Sequence, residues 1–287
     1  MCIRDSCKLG YIPEPWKQRV AAACAGWQRS HYGWDVDPSI IRVVPDVLEA
    51  YEIFLRELVG AGNSVIVPTP AYMPFLSVPK LYDVDVIEIE MLQSGDAETG
   101  EAQWVFDFDA IERAFAAGCH AFVLCNPHNP IGKVLTLEEE LRLSDLAAQY
   151  DVRIFNDEIH APFVFEGKHI PFPTISEQAA LQSMTATSAS KSFNIPGTKC
   201  AQVLLTNPAD RDMWAVKAEW SEHQTATIGA IATTTAYNEG DLWFQDAFAY
   251  VRRNLALFDE QMRERFAGVG YIKPQGTYIA WLDFCLL

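Results

Sequence analysis

Residues Ala121-Phe122-Val123-Leu124-Cys125, then Thr136 through Tyr150, then Val152-Arg153-Ile154-Phe155, decide the fold. The first and last pieces are short runs without polar alternation, the mark of strands buried on both faces. Thr136 has Glu139 three residues on, the spacing with which a hydroxyl and a carboxylate cap a helix start. Strand, helix and strand in succession predict a parallel pair joined by a helical crossover. Both strands end in polar side chains, Asn126-Pro127 and Asn156-Asp157-Glu158.

The pattern repeats outward. Ile40–Val44 reads as a strand, Asp46 as a helix cap, and Val47–Val59 as a helix with apolar residues at Val47, Leu48, Tyr51, Phe54, Leu55 and Leu58. Gly60 and Gly62 stop it. Ser64–Val67 is a strand expected to end at Pro68, and Val84–Ile89 is another. Polar Gln93–Gln103 reads as a loop or hairpin, and Asp109–Ala117 as a helix. Before these, a helix is expected from Pro15 to Ala25. After them come strands at Met184–Ala186 and Ala201–Thr206. A long helix over Leu242–Phe266 has apolar residues three and four apart. The predicted class is α/β, a mostly parallel central sheet flanked by helices on both faces.

Composition narrows the partners. Of 287 residues, 49% are hydrophobic and 21% charged, enough apolar material for a sizeable core. The net charge of -16 disfavours a nucleic-acid backbone. No apolar run reaches the ~18–20 residues that cross a bilayer, so no membrane partner is expected. The seven cysteines are Cys2, Cys7, Cys24, Cys119, Cys125, Cys200 and Cys285. They form no C-x-x-C pair, which fits a reducing cytoplasm better than a disulfide framework. Residues 1–9 read as an N-terminal remnant or scar, because nothing in Met1–Ser6 joins the pattern that follows.

In open α/β sheets ligands collect at the carboxyl ends of strands. Three strands deliver candidates there: Asn126 through Gly132, then Asp157 with His160, then Ser188, Ser190 and Lys191. A lysine in a partly dry pocket loses its proton readily and attacks carbonyls. An amine, a carboxylate and an amide suit a cofactor with a carbonyl, a basic ring nitrogen and a ring oxygen. The helix start at Asp46–Leu48 offers backbone N–H groups to a phosphate. That cofactor is pyridoxal 5′-phosphate, PLP. Each piece alone has a plainer reading. Asn-Pro is a common turn, Asp157 can cap a helix, Lys191 can be a surface lysine, His160 a packed histidine, and Tyr72 a core aromatic.

Together, Asn126-Pro-His-Asn-Pro-Ile-Gly-Lys133, Asn156-Asp-Glu-Ile-His160 and Ser188-Ala-Ser-Lys-Ser-Phe-Asn-Ile-Pro-Gly197 resemble the class I/II aminotransferase superfamily, PLP fold type I. Within it they are most similar to the cystathionine β-lyase (C–S lyase) branch of MalY/PatB type. Val67 through Phe75 and Gly276 through Asp283 match that branch too. The resemblance implies that Lys191 is the catalytic lysine that bonds to the cofactor and then moves protons. It implies that Asp157 pairs with the pyridine nitrogen, Asn129 binds the ring oxygen and Tyr72 stacks on the ring. Ser188, Ser190, Lys199 and the amides of Val47 and Leu48 would hold the phosphate. His160 stands where aminotransferases carry tyrosine, which favours the lyase branch. Tyr11 resembles the tyrosine that reaches a neighbouring subunit's phosphate, implying a homodimer with shared sites.

The resemblance also implies that family members run well past Trp281-Leu-Asp283. That further part holds most of a small domain and an arginine for the substrate carboxylate. The expected division is therefore a large PLP-binding domain over 10–268 and the start of a truncated small domain over 269–287. The expected function is a cytoplasmic PLP-dependent β-lyase that cleaves cystathionine or related cysteine S-conjugates to pyruvate, ammonia and a thiol. An amino-acid aminotransferase is the alternative. A PLP-fold regulator acting through protein–protein contact is a second.

Overall fold

The structure, a computed structural model, describes residues 10–95, 102–266 and 269–284. Cys2, Cys7, Cys285 and the 1–9 segment lie outside the described residues. Seven strands form the central sheet: β1 Ile41–Val44, β2 Ser64–Thr69, β3 Asp85–Glu90, β4 Ala121–Cys125, β5 Arg153–Asp157, β6 Ser183–Thr187 and β7 Ala201–Leu204. Their order is β1-β7-β6-β5-β4-β2-β3. Only β7 runs antiparallel, against both β1 and β6. The other pairings are parallel. β4 through β6 are wholly buried apart from Arg153.

Alternation along the strands builds a core on each face. Val65, Val67, Ala121, Val123, Cys125, Phe155, Met184 and Ala186 pack on one side, with Tyr51, Phe54 and Leu55 from the helix after β1. Ile66, Phe122, Leu124 and Ile154 pack on the other, with Ile111, Phe115, Leu143 and Ala147. The helices used below are α1 Glu14–Tyr32, α2 Val47–Phe54, α3 Phe108–Ala116, α4 Leu137–Gln149, α5 Ala189–Ser192, α6 Thr227–Glu239 and α7 Asp241–Arg265. Side-chain caps start several of them. Asp46 accepts the Glu49 N–H at 2.9 Å, Asp107 accepts the Ala110 N–H at 2.8 Å, and Thr136 and Glu139 cap reciprocally.

Two details differ from the sequence reading. α1 runs on past Gly26 to Tyr32 and ends at Gly33, whose φ of 72° suits a left-handed cap. An interior glycine costs a helix about 1 kcal/mol. Burial of Ala21, Ala23, Cys24, Ala25 and Trp27 against Tyr237 and Phe244 outweighs that cost. β2 runs through Pro68 to Thr69 rather than stopping. Its ladder to β4 is registered only at Ile66↔Phe122, so the N–H that proline lacks is tolerated. As the hairpin reading of Gln93–Gln103 expects, Leu92–Ser94 pairs antiparallel with Gln103–Val105, and residues 96–101 between them lie outside the described residues.

Among the described residues no helix is long and apolar enough to cross a membrane. Cys24, Cys119, Cys125 and Cys200 are buried free thiols.

Candidate functional site

The carboxyl ends of β4, β5 and β6 open into one cavity of about 260 Å³. Asn129 arrives on the loop after β4, Asp157 as the last residue of β5, and His160 three residues later. Ser188 follows β6 as the cap of the single turn α5, which puts Lys191 inside that turn. Val47 and Leu48 enter from the first turn of α2, and Tyr72 from the start of a short helix, Met73–Ser77. All eight line the cavity, and so do Ser190 and Lys199. Of the predicted site residues only Tyr11 is elsewhere. It is 85% exposed and lines a separate depression with His223, Thr225 and Ile228.

Asp157 is buried, with the Ile159 N–H donating to its Oδ1 at 2.9 Å. Burial lifts its carboxyl to about 7. The Ile159 hydrogen bond and the charge of Lys191 pull the other way, and Glu158 adds to the rise. Burial without a salt bridge makes the ionised form of Asp157 costly unless a cation pairs with it. His160 is as deeply buried. Its ring is driven down to about 3 by burial and then by Lys191, so it is neutral. Its Nδ1 has no partner, and its Nε2 lies 3.5 Å from Nδ2 of Asn129. Tyr72 stands at the mouth, edge-on to Phe75 with ring centroids 5.6 Å apart. Burial raises its phenol first, then Asp157 and Asp46.

At the other end, the first N–H groups of α2 have no intrahelical acceptors, which makes an anion seat. Lys199 reaches over this helix start and pairs with Asp46. Ser188 donates its hydroxyl hydrogen to the Cys200 carbonyl at 2.9 Å and accepts the Ser190 N–H at 3.1 Å. Its one hydrogen is therefore engaged within the protein. Ser190, Lys199 and the α2 amides are the donors left to an anion. Among the described residues no arginine lines the cavity.

The sequence reading missed three contributors. Asp46 was legible as a cap but not as the partner of Lys199. Cys200 lines the cavity, and its carbonyl takes the Ser188 hydroxyl hydrogen, a contact no pattern announces. Tyr278 packs on His160 with ring centroids 5.7 Å apart, and only its place in the Gly276–Asp283 motif drew notice to it.

The cavity fits PLP by its donor set. The Lys191 amine stands within electrostatic reach of the buried Asp157 carboxyl, which makes no salt bridge among the described residues, and a helix start with a lysine beside it offers a phosphate seat. The chain is 35% identical over 276 residues to a cystathionine beta-lyase of Corynebacterium glutamicum, covering 96% of this chain and 71% of that protein. It is 28% identical to the cystathionine beta-lyase PatB of Bacillus subtilis, covering 93% and 68%. The crystal structure of cystalysin from Treponema denticola, which contains a PLP cofactor, superposes with a TM-score of 0.89 at 27% identity, covering 98% of this chain and 70% of that one. Residues 13–287 match the family model described as aminotransferase class I and II. The chain therefore belongs to the aminotransferase class I and II family.

Proposed function

We propose that this chain is a PLP-dependent carbon–sulfur β-lyase acting on cystathionine or related cysteine S-conjugates. The observation that carries the reading is the meeting of Lys191, Asp157 and Asn129 in one cavity, in a chain 35% identical to a cystathionine beta-lyase. When bound, PLP supplies an electrophilic carbonyl and a ring that accepts an electron pair. Lys191 Nζ is the amine that would hold the cofactor's carbonyl carbon, and the same amine, when free, would serve as the base for the substrate's α-proton. The Asp157 carboxylate would pair with the ring nitrogen and favour its protonated form. Asn129, with neutral His160 beside it, would donate to the ring oxygen, and Tyr72 at the mouth would pack on the ring. The α2 start, Ser190 and Lys199 hold the phosphate. The overall conversion would take a cysteine S-conjugate and water to pyruvate, ammonia and a thiol.

Tyr11 lies well outside its own cavity, and its exposure supports a role in a second subunit's phosphate site, hence a homodimer. A cytoplasmic setting is proposed from the unpaired buried cysteines.

The test supplies the protein with PLP and cystathionine and assays pyruvate and thiol. Release of both, with a visible PLP absorbance band that disappears in Lys191→Ala, is expected. Keto-acid-dependent amino transfer without thiol release would overturn the lyase reading in favour of an aminotransferase.

A further inference from the structure

The segment Gly276-Thr277-Tyr278 belongs to no helix or extended strand, yet it is fastened on several sides. The Gly276 N–H donates to the Gly132 carbonyl at 2.8 Å, and the Thr277 N–H to the Phe163 carbonyl at 2.8 Å. Gly276 also bridges Val164. A Cβ at Gly276 would lie 2.9 Å from both the Phe163 oxygen and Pro127 Cβ, so glycine is required. Thr277 is fully buried at a φ of 64°, a conformation that β-branched residues adopt only when their surroundings impose it. This segment ties the loop after β4, which carries Asn129, to the segment after β5, which carries His160.

The fastening presents the ring of Tyr278. It packs edge-wise on His160 at 5.7 Å and on Phe163 at 5.2 Å, measured between ring centroids. Hydrogen bonds do not set the plane of His160. Its Nδ1 is unpartnered, and 3.5 Å to Asn129 is at the limit of a hydrogen bond. Packing must set it, and Tyr278 is the aromatic neighbour of His160 among the described residues.

We propose that Tyr278 is a positioning residue of the cavity: it fixes the plane of the His160 ring and, through His160 Nε2, the side-chain amide of Asn129. If the ring turned, a C–H would replace Nε2 and Asn129 would lose its neighbour. The consequence for catalysis rests on the PLP reading above, but the contact itself does not.

The experiment compares Tyr278→Phe, which keeps the ring, with Tyr278→Ala and Tyr278→Leu, which remove it. Nuclear magnetic resonance of histidine-labelled protein reads the His160 ring, its signals identified by their loss in His160→Gln. Wild type and Tyr278→Phe should give one sharp, neutral set. Tyr278→Ala should broaden or shift those signals and leave the other histidines unmoved. Tyr278→Leu keeps most of the side-chain volume and decides the matter if the alanine variant fails to fold. With PLP added, the ring-less variants should bind roughly two- to tenfold more weakly and shift the absorbance band, with Tyr278→Phe restoring both. Unchanged His160 signals in a folded ring-less variant would overturn the proposal. If wild type binds no PLP, the reading of the site fails, while the comparison of ring signals still decides this one.

Discussion

The side-chain amide of Asn126 donates to Oε1 of Glu140 across 2.7 Å, while its oxygen accepts the Leu135 N–H at 3.1 Å. Both side chains are buried, so the pair fastens the start of the Asn129 loop to α4 out of reach of water. Burial, then the nearby Glu158, pushes the Glu140 carboxyl up to about 9, against the pull of the Asn126 hydrogen bond. Glu140→Gln keeps an acceptor for Asn126 and should leave stability at pH 7 near wild type or above it. Glu140→Leu strands a buried amide and should cost about 1–3 kcal/mol relative to the glutamine variant. Urea unfolding measures both, and equal stabilities for the two variants would refute the role given to the pair. The pH dependence has a definite sign. A carboxyl raised by folding stabilises fully below its ordinary value of 4.5, and that stability is lost as pH rises toward 9. Wild type should therefore weaken over this range relative to Glu140→Gln.

Asp157 carries the same sign with a functional purpose. Its carboxyl is lifted from 3.8 to about 7 in the ligand-free protein, so ionising it costs stability as pH rises through that window. Asp157→Asn should then be more stable than wild type at pH 8 without PLP, and the gain should vanish near pH 4. The same variant should bind PLP roughly ten- to a hundredfold more weakly, because a charge-assisted bond contributes about 1.5–3 kcal/mol. Thermal unfolding without cofactor and a PLP titration at pH 8 measure the two effects. A variant that loses stability at pH 8 would contradict the assignment of a buried carboxylate kept for a cationic ligand.

What sequence alone revealed follows from which forces are local. β4 was legible because Ala121–Cys125 carries no polar residue until it ends, and β5 because Ile154-Phe155 leads straight into Asn156-Asp157, so Asn129 and Asp157 follow from those ends. β6 alternates hydroxyl and apolar residues, and only its place before Lys191 marked it. α6 was not legible. Its Thr227-Ile-Gly-Ala-Ile-Ala-Thr-Thr-Thr-Ala run is rich in β-branched residues and has no single apolar face, so its helix depends on packing against α1. Glu140 is one of several acids on a capped helix, and nothing in its spacing sets it apart. Its burial depends on Asn126, which reaches it through the fold. The pairing of Lys199 with Asp46 joins residues 153 positions apart, and no spacing rule anticipates it.

That pairing yields its own prediction. Lys199 and Asp46 are both partly exposed, so removing the lysine should change stability by less than about 1 kcal/mol. Its effect on phosphate should be larger. Lys199→Ala should weaken PLP binding roughly tenfold or more and leave binding of pyridoxal, which lacks the phosphate, within about twofold. Fluorescence titration with both ligands separates the outcomes, and an equal loss for both would move Lys199 away from the phosphate.

Gly229 supports this corner from α6. A Cβ there would lie 2.1 Å from the Thr198 oxygen and 3.0 Å from Cys200 Cβ, so an alanine must push the Thr198–Cys200 backbone away from the helix. Lys199 would move with it, and so would the Cys200 carbonyl that takes the Ser188 hydroxyl. Gly229→Ala should cost about 1–3 kcal/mol through overpacking and should weaken PLP binding more than pyridoxal binding. Gly197→Ala is the matched control on the same turn. Its Cβ meets nothing within 4 Å and its φ is not left-handed, so it should be neutral or stabilise by about 0.4–1 kcal/mol. Thermal unfolding and the paired titrations measure both. If Gly229→Ala binds PLP as wild type does, the close approach of α6 serves packing alone and does not hold the phosphate end in place.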